Sequence, residues 1–202
     1  MKTILASLIA AAALASAPLA AADRYEFDKS HTSILFFVEH MGLSEMQGEF
    51  RAFDGELLVD ENDLSKSSVN VSIDAGSIDM DHDKLNEHLK SKDFFNVGNQ
   101  AKLGFKSTKL EAKGENAFLL TGDLTILGVT KPVTLDVTMK KLDSHPFAKV
   151  PAIGFHAEGV IKRSDFGMSY ILGPVADVVK IRIDTETLKA VPVEAKTDAA
   201  KG

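Results

Sequence analysis

The sequence predicts a single all-β domain of antiparallel strands, and three observations carry that expectation. Apolar and polar residues alternate with a period of two over most of the length after Arg24. Turn-forming residues interrupt the alternation at short intervals. About 180 residues remain once an apolar leader is set aside, enough for one sizeable core and too few for two ordinary ones.

The elements follow in order. Ile34, Phe36 and Val38 share one parity of a first long strand. Val69, Val71 and Ile73 alternate with Ser68, Asn70, Ser72 and Asp74, which gives one apolar and one wet face. The pattern recurs at Leu103 and Phe105, at Leu124 and Ile126, and at Val133, Leu135 and Val137. It returns at Ile153, Phe155 and Ala157, and at Val179, Ile181 and Ile183, so roughly eight strands are expected.

Lys113-Gly114-Glu115-Asn116 reads as a tight reversal. Gly128-Val129-Thr130-Lys131-Pro132 reads as a second, with glycine free to take positive φ and Pro132 confined to a strand's first residue. One segment departs from the strand pattern. Asp81 is placed to cap a short helix in which Leu85 and Leu89 share a face, while His82, Lys84, Glu87 and Lys90 take the wet side. The helix should end near Ser91, with Phe94-Phe95 following as an apolar plug over whatever the helix covers. Strands of this kind can close as a barrel or stack as a sandwich. A barrel of about eight strands leaves room for one ligand, whereas a sandwich fills itself.

The first 22 residues read as an export signal. Lys2 supplies the positive start, Ile4 to Ala15 is an apolar run broken only by Ser7, and Ala20-Ala21-Ala22 offers small residues for cleavage after Ala22. Lys2 is the only charge in that segment, so the remainder carries −7 where the full chain carries −6. Residues 23–190 form the expected domain. Residues 191–202, mostly Ala, Lys, Thr and Asp from Glu194 onward, read as a disordered tail. No later stretch reaches about eighteen apolar residues, the length of a spanning helix.

Several function classes are disfavoured. The acidic balance argues against duplex nucleic acid as a partner. The chain has no cysteine, which excludes disulfides, thiolate catalysis, Cys-ligated zinc and covalent haem. Asp79-Met80-Asp81-His82-Asp83 fails as a calcium loop, because Lys84 stands where glycine is needed and Lys90 where a bidentate glutamate is needed. His82 and His88 are six apart and make no zinc pair on a helix. Gly42-Leu43-Ser44-Glu45-Met46 lacks the closing glycine of a nucleophile elbow. No enzyme, metal or cofactor is expected.

Five local signatures bear on family. Asp28-Lys29-Ser30-His31-Thr32 leads into Ile34-x-Phe36-x-Val38-x-His40-Met41-Gly42. Gly48-x-Phe50 with Phe53-x-Gly55 follows, then His88-Leu89-Lys90-Ser91-x-Asp93-Phe94-Phe95. Gly122-Asp123-Leu124-Thr125-Ile126-Leu127-Gly128-Val129-Thr130-Lys131-Pro132-Val133 is the fourth. Gly154-Phe155-x-Ala157 with Ile161-x-Arg163-Ser164-Asp165-Phe166-Gly167 is the fifth. In this order and spacing they resemble the YceI-like family, from about Arg24 to about Leu188. The chain departs from the family at Asn99-Gln100-Ala101, where an aromatic followed by proline is usual.

The resemblance implies an antiparallel, eight-stranded, lipocalin-like β-barrel with one short helix. It further implies a non-covalent polyisoprenoid or similar long-chain lipid held inside, with the protein in a periplasm and in transient contact with membranes. The expected ligand-binding residues are then Ile34, Phe36, Val38, Leu103, Phe105, Leu124, Ile126, Leu135 and Phe155 on the inward parity, with His40, Phe94, Arg163 and Phe166 beside them. The alternative is a filled-core interaction protein that binds an envelope or membrane redox partner through its surface. His31 and His40 could meet a polar head group or simply satisfy partners in turns. Arg163 could hold a phosphate or a structural carboxylate. Leu35 and Phe37 fall on the outward parity, so an exposed apolar pair and a homodimer are expected.

Overall fold

The computed structural model describes residues 22–191. The expected leader and tail lie outside the described residues, apart from Ala22 and Val191. The strands are β1 (Asp23–His40), β2 (Ser44–Phe50), β3 (Phe53–Val59), β4 (Ser68–Asp74) and β5 (Ile78–Asp79), followed by helix α1 (Asp83–Lys90). Then come β6 (Lys102–Ala112), β7 (Ala117–Ile126), β8 (Val129–Leu142), β9 (Ala152–Lys162) and β10 (Val175–Lys189).

Neighbouring strands run β1, β3, β4, β6, β7, β8, β9, β10, and β10 returns to β1. This is a closed antiparallel barrel of eight strands. β2 and β5 extend one end of it: β2 pairs with β1 from Leu35 to His40, while β3 takes Asp23 to Tyr25, and β5 pairs with the last residues of β2.

Closure preserves the parity read from the sequence. Ile34 lies opposite Ile183, Ile183 opposite Ala157, Ala157 opposite Val137, and Val137 opposite Phe118. All except the partly accessible Ile183 are buried. A slip of one residue in any pairing would turn that strand's apolar set to water, so the hydrophobic pattern pins the register.

Two turn details differ from the expectation. The β7–β8 reversal is only Leu127 and Gly128, with φ of 53° and 76°, the two-residue hairpin geometry whose twist matches the strands. Pro132 therefore sits inside β8 and not at its first residue. It is tolerated because β8 pairs with β9 only from Asp136 onward, so Pro132 has no partner on that side. Helix α1 is capped by His82, whose Nδ1 accepts from the Leu85 N–H at 3.4 Å, and not by Asp81. Asp81 takes φ of 55°, and its N–H donates to Asp79 Oδ1, which also receives Asn86 Nδ2.

At Gly122 two strands that line the site approach closely. A Cβ there would lie 2.4 Å from Phe105 Cζ and 2.7 Å from the Lys106 carbonyl oxygen. Gly122→Ala is expected to lose about 1–3 kcal/mol, the ordinary cost of overpacking. A lower urea midpoint at unchanged slope would register it.

Candidate functional site

A cavity of about 310 Å³ runs along the barrel axis. Helix α1 and the segment after it cap one end with Leu89, Phe94 and Phe95. Leu57, Val59, Leu64 and Met139 line the other end beside the buried Tyr25 and Ile153. There Tyr25 Oη donates to Glu61 Oε1 at 3.0 Å, and Lys141 Nζ bonds the second Glu61 oxygen. Burial, and then the Glu61 carboxylate, push the Tyr25 phenol above the ordinary tyrosine range. Hydrogen bonding from Lys141 holds Glu61 below the usual carboxylate range.

The lining is almost wholly aliphatic and aromatic. From β1 it receives Ile34, Phe36 and Val38, from β6 Leu103 and Phe105, and from β7 Leu124 and Ile126. Leu135 of β8 and Phe155 of β9 complete that ring, with Phe94 above it. Phe36, Phe105, Leu120 and Phe155 point inward yet stay partly accessible, because there is space in front of them. A solid core would bury them fully, so the barrel is not packed shut.

Polar groups reach the cavity at few points. Thr32 and Thr185 meet at 2.7 Å between their hydroxyl oxygens, and Thr32 Oγ1 also donates to the Asp28 carbonyl. This contact exists because β1 bulges between Asp28 and Thr32. The bulge turns His31 outward, where its Nδ1 lies 2.8 Å from Asp28 Oδ2. Hydrogen bonds from Ser30 and then His31 hold Asp28 well below the usual carboxylate range, and Asp28 in turn raises His31. Ser67 and Ser68 line the cavity where β4 begins. Alternation marks the apolar lining, but no signal in the sequence singles out these hydroxyls.

Four expectations change. Phe166 is buried in the core and does not border the cavity, and His40 ends β1 outside it. Arg163 borders the cavity, and its guanidinium is bonded to backbone carbonyls rather than to a carboxylate. It is the first residue of a 3₁₀ turn (Arg163–Phe166) and donates to four backbone carbonyls: Ala176 from Nε at 2.9 Å, Met168 and Tyr170 from Nη1 at 3.0 and 2.9 Å, and Val175 from Nη2 at 2.9 Å. Burial lowers its affinity for the proton while Asp177 opposes the shift. Leu35 is buried and Phe37 half-buried, with the Arg182 guanidinium 5.2 Å from the Phe37 ring centre. The exposed pair that motivated a homodimer is therefore not there.

Fold and cavity together define a lipocalin-like barrel with an apolar interior. The YceI-like domain matches residues 25–187, and the chain belongs to that family. A UPF0312 protein of Serratia proteamaculans is 41% identical over 191 residues, covering 94% of this chain and 98% of the relative. A UPF0312 protein of Pseudomonas aeruginosa is 36% identical over the same length. Among solved structures, a Campylobacter jejuni YCEI protein matches at 26% identity and a TM-score of 0.66, covering 76% of this chain and 90% of its own. A polyisoprenoid binding domain from Saccharophagus degradans shares the fold at 12% identity and a TM-score of 0.59, covering 82% of this chain and 98% of that one.

Proposed function

We propose that this protein is a non-enzymatic carrier that holds a polyisoprenoid or similar amphiphilic lipid, such as an isoprenoid quinone or a fatty amphiphile, inside its barrel. The observation that supports it is the unfilled apolar cavity, whose inward aromatic side chains remain accessible. Its volume stands at the lower end of the ~300–1,000 Å³ of ordinary ligand sites. The polyisoprenoid-binding neighbour extends the reading by analogy of fold.

The energetics suit exchange with membranes. Each buried methylene contributes about 0.8 kcal/mol relative to water. A bilayer core offers a similar gain, so the net preference between barrel and membrane is small and transient membrane contact suffices for loading. The leader-like residues 1–22 place the protein in the periplasm in this proposal, with the mature chain beginning at Asp23.

One experiment tests both points. Protein purified gently from a periplasmic extract is expected to show, by native mass spectrometry, the mass of the chain from Asp23 plus an adduct that partitions into organic solvent. A bare polypeptide mass would sink the carrier reading, and a mass still including Met1 would sink the export reading.

A further inference from the structure

Five large apolar side chains stand exposed at one end of the barrel: Met41 at 59%, Leu43 at 83%, Tyr170 at 42%, Ile171 at 43% and Leu172 at 41%. They come from two segments that meet there. The Met41 N–H donates to the Pro174 carbonyl at 2.7 Å, and His40 pairs with Val175. Neither Met41–Ser44 nor Phe166–Ala176 contains a charged residue, in a chain that is 26% charged.

The fold holds this tip outward. Arg163 bonds the carbonyls of Met168 and Val175, on either side of the exposed run. Met41 and Ile171 take φ of 56° and 43°, a conformation unfavourable for side-chain-bearing residues and most of all for a β-branched one. The tip also adjoins the cavity: the Tyr170 ring packs edge-on against Phe94 at 5.5 Å, and Phe94 lines the capped end.

We propose that this tip is a membrane-docking surface which inserts into the interfacial layer of a lipid bilayer. The placement rests on the carrier reading, for which it supplies the face that meets the membrane. Area and charge select the occupant. The five side chains expose on the order of 500 Å², which fits a functional patch on a monomer but falls short of the ~800 Å² per partner of a stable protein interface. Neither segment of the tip carries a charge with which to pair a polar partner, and the net charge of −7 left without the leader opposes attraction to an anionic surface. Attachment is therefore apolar, with Tyr170 suited by its ring and hydroxyl to the interface between lipid and water.

Flotation with phosphatidylcholine vesicles on a density gradient tests the proposal. The parent protein is expected to float equally at low and high salt. The double variant Leu43→Asp, Leu172→Asp should lose at least five-fold of the floated fraction with its circular dichroism unchanged. Phe147→Ser should float like the parent, because Phe147, although 89% exposed, lies beyond β8 at the opposite end. Docking by this tip is overturned if the parent does not float, if it floats only on anionic vesicles and salt releases it, or if Phe147→Ser abolishes flotation. It is overturned equally by a dimer in sedimentation that the double variant dissolves, since a second copy would then cover the tip. Organic extraction of the same preparations separates the two readings. Extractable lipid without flotation removes docking alone, and flotation without extractable lipid removes the carrier alone.

Discussion

Phe105→Asp is expected to empty the barrel. Phe105 lies on β6 between Val71 of β4 and Leu124 of β7, with its ring over Gly122, so no cross-strand neighbour can pair a carboxylate there. An unpaired charge facing this lining costs several kcal/mol or takes up a proton. Either form places a strongly hydrated group where a lipid chain would lie. The expected result is a protein with parental circular dichroism that carries no organic-extractable lipid. Ile126→Ala is the companion: it enlarges the cavity, lowers stability by about 2–4 kcal/mol and keeps the lipid. A folded Phe105→Asp that carries the same lipid as the parent would show that the lipid does not lie in the barrel.

Arg163→Met should destabilise the fold more than any other single change at the capped end. The methionine fills part of the same volume but leaves the carbonyls of Met168, Tyr170, Val175 and Ala176 without their donor. Hydrogen bonds to a charged group contribute about 1.5–3 kcal/mol each. The exposed part of the loop recovers some of that by turning to water, so the expected loss is about 4 kcal/mol, among the larger single-residue effects. For a domain of this size the melting temperature should fall by about 10 °C. Arg163→Lys should recover only part of it, because an ammonium cannot reproduce the planar fork that reaches several carbonyls at once. A Met variant as stable as the parent would mean that the loop does not depend on the guanidinium. Asp177 would then be left as its anchor, through the N–H and hydroxyl of Ser164.

Much of the site was legible before the fold was known. Alternation in β1, β6, β7, β8 and β9 assigned Phe36, Phe105, Ile126, Leu135 and Phe155 to one face, and the structure brings them round one cavity. Side-chain direction in a strand has a period of two, so local sequence alone carries that information. The short helix was legible for a similar reason, since Leu85 and Leu89 share its inner face; its cap was not. Asp81 and His82 are both plausible caps locally, and the choice fell to Asp79, which holds the Asp81 N–H and Asn86 together.

The residues that resisted reading are those whose role depends on partners distant in the chain or beyond the strand. The backbone partners of Arg163 are of this kind: it stands past the end of β9, where the chain turns into a 3₁₀ helix and the period of two no longer applies, and it bonds carbonyls five to thirteen residues further on. Leu35 and Phe37 looked exposed because outward parity ordinarily means solvent. Leu35 is instead buried, and Arg182, its partner across β10, lies over Phe37. The exposed tip at Met41, Leu43 and Tyr170–Leu172 had no periodic signature, since its two segments lie far apart in the chain and meet only when β10 closes on β1.

The sequence by itself determined an antiparallel strand set with one apolar parity, a short covering helix, and the inward-facing side chains of the regularly alternating strand segments, because each is a matter of local periodicity and turn chemistry. Only the tertiary structure decided that the sheet closes, that the enclosed space stays open, and that a buried arginine is spent on backbone carbonyls. Closure and cavity volume depend on how β1 pairs with β3 and β10 at once, a contact between the two ends of the domain that no local pattern encodes.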